Sequence, residues 1–535
     1  MGYSSSYSSS SSLTDSLSAP IRSFFASLDD PAIPWKTLVL YLVLAVYSFE
    51  TYLSLRQYKV YSYAAPPASL ARHVDLDTFK KSQRYGRDKA RFGFVVGAWG
   101  LINSLAVIHF DLLPLVWTWS GIALQKMGRA PSEIPQSIIF TFLFSGIRAT
   151  LDLPFSYYSH FVLEEKHGFN KMTRSTFVLD FVKGLGIGAV FLSPLIAGLI
   201  AIIRWAGTDG FVSWVLMFIL GFQILAQVLY PTVIQPLFNK LQPLEEGPLK
   251  SRVVSLANSM RFPLAKIYQI DGSKRSAHSN AYFFGVLPWA NKHIVIFDTL
   301  IAKSTCSEIE AVICHELGHW KHRDPTKLLL IAQAQVALTF GVFAGFIGNV
   351  SLFRSFGFNV STTQGYLPII IGLELFQMVL AALDVVLQFA MNSAVRSMEY
   401  AADEFAANLD RPAFSEEQIE GLSQAAAAKE SKKKDAKAEA GAGAGAQQNG
   451  AASSEDPDVP LRLELEQVGQ PYDELLAKAL IKLHVQNLST MHYDALYSAY
   501  HHSHPTLPER LAALQRIREK REKGAGTGVE GKKNI

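Results

Sequence analysis

His315-Glu316-Leu317-Gly318-His319 places two imidazoles four residues apart within a helical pattern. Side chains at i and i+4 share one helix face, with Cβ atoms roughly 5–6 Å apart. Both rings could therefore reach a single Zn²⁺ at about 2.0–2.1 Å. Glu316 would sit beside that ion, where a carboxylate can take the proton of an attacking water. A five-residue match of this kind arises by chance in roughly one such chain in fifty, so its setting decides what it means. A catalytic zinc site takes three protein ligands and keeps one position open. Glu399 is the best third ligand, in a helical segment with Asp403 one turn later on the same face. Asp403 could then hold the free N–H of a ligating histidine. On spacing alone, these two acids read first as a solvated, charged helix end.

The elements that must position these residues are mostly membrane helices. Of 535 residues 49% are hydrophobic and only 18% charged, with 34 Phe and 20 Tyr, and the apolar residues come in long blocks. Such a chain has too few charges to cover a soluble surface and reads as a polytopic membrane protein in a lipid bilayer. The net charge of +4 makes no case for nucleic acid. Two cysteines, Cys306 and Cys314, exclude a disulfide-stapled extracellular fold. Cys314 lies about 100° round the helix from His315 and reads as packing.

Seven blocks are long enough to span, at about 35–55, 93–118, 136–160, 184–206, 211–236, 326–349 and 366–391. Arg148 and Asp152 in the third read either as an ion pair along one helix or as the lining of a wet cavity. Glu50, Glu374 and Asp384 raise the same question, since unpaired acids facing lipid are costly. Basic residues crowd the loop after the first span, from Arg56 to Arg91, which places that loop in the cytosol. Seven spans then put the N-terminus in the lumen and the zinc motif and C-terminus on the cytosolic side.

The expected order is a disordered Ser-rich lumenal tail (1–34), helices one to five (35–236), a zinc-protease unit (237–325) and helices six and seven (326–391). A third-ligand helix (392–424), a low-complexity insert (425–458), the C-terminal part of the protease unit (459–517) and a charged tail (518–535) follow. Within the protease unit, 266–270, 280–284 and 293–297 read as short strands. Thr305 with Glu308, or Ser307 with Glu310, would cap the zinc helix, and Asp324-Pro325 would cap and start the next. The 280–284 segment, with Asn280 and Tyr282, is the candidate edge for an extended substrate. The closing Lys532-Lys533-Asn534-Ile535 looks like a dilysine retrieval signal of the endoplasmic reticulum.

Several motifs together resemble the type I CaaX prenyl proteases, integral-membrane zinc metalloproteases of the endoplasmic reticulum. They are HELGHW at 315–320, SNAYFFG at 279–285, IVIFDTL at 294–300, the 399–403 segment and YHHSHPTLPER at 500–510. FETYLSLRQ at 49–57 and FVLEEKHGFNK at 161–171 match as well, and the resemblance covers about 35–515. It implies a mainly α fold whose seven transmembrane helices enclose a water-filled chamber, with a small zincin-like unit of helices and a short β-sheet. It implies zinc on His315, His319 and Glu399, with Glu316 as general base and acid and Asp403 behind the ligands. Asn280 and His504 would steady the tetrahedral intermediate, a donor role that a developing oxyanion requires, and Arg510 would meet a substrate carboxylate. The implied substrates are prenylated CaaX proteins, losing their last three residues; some relatives also cut upstream, as in maturation of a mating pheromone. A quality-control protease for membrane proteins is the alternative enzyme. A chambered transporter with structural zinc is the non-enzymatic one, and such a site would have no use for Glu316.

Overall fold

The computed structural model describes residues 13–285, 291–358, 366–413 and 467–530. The insert at 425–458 and the dilysine pair lie outside the described residues. Among the described residues, seven helices are long and apolar enough to cross a membrane. They are α2 (Trp35–Val60), α3 (Leu76–His109), α5 (Glu133–Tyr158) with the π-helical turn Ser159–Glu164, two halves of α6 (Arg174–Leu229), α11 (Asp324–Phe346) and α13 (Ile369–Asn408). Gly207, at φ +69°, breaks α6 into two spans, a conformation that favours a residue without Cβ. Its second half continues through a π-helical turn into the short α7 (Gln235–Phe238). Shorter helices fill in: α1 (Leu13–Ser27), α4 (Leu112–Lys126), α8 (Pro248–Ser259), α9 (Asp298–Lys303), α10 (Cys306–Lys321) and α12 (Val350–Ser355). After the insert come α14 (Tyr472–Gln486), α15 (Ala495–His501) and α16 (Leu507–Glu530).

The membrane helices pack round an aromatic core that includes Phe140, Phe211, Phe343, Phe353 and Phe376, all buried. A second core joins α8, α10, α14 and the sheet through Val253, Leu256, Ile294, Ile313, Leu317 and Leu475. That sheet has strands β1 (Leu241–Pro243), β2 (Leu264–Ile270), β3 (Ala281–Phe284) and β4 (Lys292–Phe297), in the order β1-β2-β4-β3. β2 and β4 run parallel; β3 pairs antiparallel with β4, Ala281 opposite Ile296 and Phe284 opposite His293. β4 buries Ile294, Val295 and Ile296 in succession, as a central strand covered on both faces does. β3 is the edge.

Several expected boundaries move. The N-terminal tail is not disordered throughout: α1 places Phe25 against Phe346 at 5.7 Å, and Leu28 O accepts from Asn349 Nδ2. Apolar side chains at Ile21, Phe24, Phe25 and Leu28 supply a helical face that the serine-rich composition conceals. The second span begins at Leu76 and ends at His109, not 93–118. Its first turns carry the basic residues, so hydropathy rises late, and Asp111 at φ +49° turns the chain into α4. The third-ligand helix is not separate from the seventh span: α13 runs unbroken for 40 residues, about 60 Å. The charged tail is helical as far as Glu530, and Arg521 reaches Ala407 O and Asp473. Arg148 and Asp152 form no ion pair among the described residues. Asp152 accepts from Trp99 Nε1 at 3.2 Å, and both side chains line a cavity of about 420 Å³ between α3 and α5.

Candidate metal centre

α10 begins with Thr305 at the N-cap. Its hydroxyl accepts from Glu308 N, and the Glu308 carboxylate accepts from Thr305 N, so the first of the two expected capping boxes forms. Glu310 is used differently. Wholly buried, it accepts from Arg252 (2.6 and 2.9 Å), Arg411 (2.9 and 3.1 Å) and Tyr472 (2.8 Å). This network ties the rear of α10 to α8, α14 and the segment following α13. On the front, Gly318 lets α13 approach. A Cβ there would lie 3.2 Å from the Ala402 backbone and from the Phe405 ring, tighter than most real contacts.

That approach brings His315, His319 and Glu399 together, one ligand atom from each lying within 4.8 Å of the others. His315 Nε2 is 3.5 Å from Glu399 Oε2, and His319 Nε2 is 3.3 Å from Glu399 Oε1. Ligands at 2.0–2.1 Å round a tetrahedral ion stand about 3.4 Å apart, so the spacing fits zinc. Glu399 Oε2 is also buried with no hydrogen-bond partner, an acceptor that a cation would satisfy.

The opposite ring nitrogens are held. His315 Nδ1 is 3.0 Å from Asp403 Oδ1, and His319 Nδ1 is 2.9 Å from Asp324 Oδ2. Each Nδ1–H donates to a carboxylate, which leaves both Nε2 lone pairs facing Glu399. The Asp324-Pro325 pattern predicts a helix cap at Asp324. In the structure Arg323 takes the N-cap position at φ +58°, and the buried Asp324 carboxylate serves His319 and Lys327 instead. Only its place five residues after His319 could have signalled this.

Arg510 also differs from expectation. It is buried, and its Nε and Nη2 donate to the two Asp403 oxygens at 2.8 and 2.6 Å. A guanidinium whose fork is already filled by a carboxylate does not offer it to a substrate. Arg510 instead fixes Asp403 behind His315. His504 does reach the centre, with Nε2 3.3 Å from Glu399 Oε1. Burial opposes charge on His315, but the Asp403 and Glu399 carboxylates outweigh it and raise the imidazole above the usual histidine range, so a cation binding at Nε2 would displace a proton. Burial pushes the Glu316 carboxyl above the usual carboxylate range, and enclosure by the cavity walls pushes His504 below the usual histidine range although its side chain is 63% exposed.

The centre opens on a cavity of about 950 Å³. Glu316, His319, Glu399 and His504 line it on one side; Tyr282, Phe283 and Phe284 of β3 and Trp320 give it an apolar wall. The free edge of β3 thus borders the cavity. Asn280 does not line it. It stands just before β3, exposed, with its own Oδ1 accepting from Ala281 N.

Comparison with known proteins accords with this arrangement. Residues 57–240 match the family described as CAAX prenyl protease N-terminal, five membrane helices, and residues 243–518 match peptidase family M48. CAAX prenyl protease 1 of Saccharomyces cerevisiae is 37% identical over 92% of this chain and 98% of its own length. The human CAAX prenyl protease 1 homolog is 33% identical over 89% and 94%. The crystal structure of S. mikatae Ste24p superposes with a TM-score of 0.74 at 36% identity, covering 91% of this chain and all of that one. With both halves matched and relatives aligned over nearly their whole length, the chain belongs to the CAAX prenyl protease 1 family of M48 peptidases and is a multi-pass membrane metalloprotease.

Proposed function

We propose that the chain is a zinc endopeptidase that removes the last three residues of prenylated CaaX proteins. The observation that carries this reading is the meeting of His315, His319 and Glu399 beside the free edge of β3, in a cavity walled by Tyr282, Phe283, Phe284 and Trp320. An edge strand can hold an extended peptide by main-chain hydrogen bonds, and the aromatic wall suits apolar residues and an isoprenoid. Zinc on the three ligands would supply Lewis acidity toward the scissile carbonyl and make water a nucleophile at neutral pH.

The chain's own residues do the rest. Glu316 takes the proton of the attacking water and passes it to the leaving amine. A carboxyl raised by burial is better matched to both halves of that task. His504, neutral at working pH, donates to the oxyanion of the tetrahedral intermediate. Asn280 does so through Nδ2, which the bond from Ala281 N to its Oδ1 leaves free, once the side chain turns into the cavity as the peptide adds to β3. Tyr282 holds the substrate from the strand. Asp403, with Arg510 behind it, and Asp324 fix the imidazoles. Asp403→Asn should therefore weaken zinc affinity by about 10–100-fold with the fold retained, measured by competition with a chromophoric chelator.

The reading includes an endoplasmic reticulum membrane location, with the N-terminus in the lumen and the centre and C-terminus facing the cytosol. Basic residues between Arg56 and Arg91 support that orientation. A second, upstream cut in a prenylated precursor such as a mating pheromone would use the same centre. Purified protein should release the tripeptide from a farnesylated CaaX peptide, lose that activity with a zinc chelator and regain it with added zinc. Equal cleavage of the unprenylated peptide would favour membrane quality control instead.

A further inference from the structure

The stretch FVLEEKHGFNK at 161–171 is remote in sequence from every proposed ligand, yet it closes on the loop that leads into β3. It begins inside the π-helical turn Ser159–Glu164, a deformation frequent at functional places. Glu164 accepts from Tyr85 OH at 2.7 Å and lies 3.9 Å from His278 Nε2. Phe169, buried, stacks on the His278 ring at 4.4 Å with planes 16° apart. The backbones join too. Ala277 N donates to Phe169 O and Lys171 N to Arg275 O, both at 3.2 Å, and Asn170 bridges Ser276.

The same loop is tied elsewhere to the membrane helices. Arg275 donates to both oxygens of Asp180 on α6, at 2.9 and 3.1 Å, and to Asn239 Oδ1 at 2.6 Å. From the protease unit, Thr299 Oγ1 donates to His278 O and Lys303 Nζ to Ala277 O. Residues 275–278 are thus gripped from both sides, three residues before β3 begins.

We infer that Phe169, with Glu164 and Asp180, forms a clasp from the membrane helices that positions β3 to receive substrate. The inference rests on the proposed role of β3 as the substrate-holding edge. An edge strand takes a peptide only if its free N–H and C=O groups keep their register, because a one-residue slip reverses every side chain. β3 is held by a ladder on one side only, with β4, so its lead-in is the further place where its position toward a peptide is secured. The metal ligands are held by Asp403, Asp324 and Arg510, none of which bonds to the clasp. Phe169 is therefore a positioning residue, whose loss should weaken substrate binding and leave the metal in place.

The test is Phe169→Ala in the full chain, in detergent or nanodiscs. KM for a farnesylated CaaX peptide should rise about tenfold with kcat within about twofold, since an aromatic stack is lost but no catalytic group. Zinc content should stay at one per chain. Amide hydrogen exchange should quicken over 276–284 and stay unchanged over 306–321, and Phe169→Tyr, which keeps the stack, should restore both. Asp180→Asn loosens the same loop through Arg275 with less loss of packing, and should give the same pattern more weakly if Phe169→Ala fails to fold. Unchanged KM and exchange in a folded variant would overturn the inference. So would equal quickening over 306–321 with loss of zinc, which would mean general destabilisation. The exchange measurement needs no substrate, so failure of the wild-type protein to cleave the peptide would count against the proposed function and not against the clasp.

Discussion

Glu316→Gln is expected to lower cleavage of a farnesylated CaaX peptide by about 10²–10⁴-fold, the usual contribution of a positioned general base. The same variant should keep one zinc per chain and the wild-type melting temperature. Glu316 lines the cavity beside His319 and Glu399 but is not among the clustered ligands. Glutamine matches its shape, so packing is preserved while the capacity to accept a proton is lost. Steady-state kinetics with metal analysis on the same preparation would check it. A loss of metal in parallel with activity would mean that Glu316 supports the ligands, and retained activity would remove it from the chemistry.

Glu310→Ala should give the largest loss of stability of any change on α10, about 3–5 kcal/mol. Its carboxylate is wholly buried and faces two guanidiniums, Arg252 and Arg411, with the Tyr472 hydroxyl as a further donor. Removing it takes away the carboxylate that both guanidiniums share in the interior, and breaking a buried pair from one side is costly. Arg252 is itself buried in the core of the protease unit and cannot turn to water. For a unit of this size the melting temperature should fall on the order of 10 °C, read by thermal unfolding in detergent. Replacing Glu310 and Arg252 together by Leu and Met should recover only part of the loss, because that pair no longer carries a desolvation cost while Arg411 keeps its charge beside it. A shift of only a degree or two for Glu310→Ala would show that the network contributes little.

Much of the candidate site was legible because its signals are local. The HELGH spacing follows from helical periodicity, and α10 carries it as expected. The edge-strand reading of 280–284 agrees with β3 to within one residue, since a short aromatic run between turn formers specifies a strand. The seven spans followed from hydropathy, although α3 starts far earlier than its apolar block because its first turns are basic.

Long-range partners were not legible. Asp324 has the pattern of a cap, and apart from its spacing from His319 nothing near it says that its carboxylate is buried under that ring. The fork of Arg510 meets Asp403 across 107 residues of chain. Glu310 offered a plausible capping box and took instead a role set by Arg252 and Arg411. In each case the sequence shows a charge, and only packing shows which opposite charge it meets. α1 was hidden for a different reason: a serine-rich average outweighed four apolar positions at helical spacing.

The most direct measurement is mass spectrometry of a farnesylated CaaX peptide incubated with the purified full-length protein. Loss of the C-terminal tripeptide is expected, abolished by a zinc chelator, restored by stoichiometric zinc and absent with Glu316→Gln. Release of the tripeptide that persists after the metal is removed, or no cleavage by zinc-loaded wild-type protein, would contradict it.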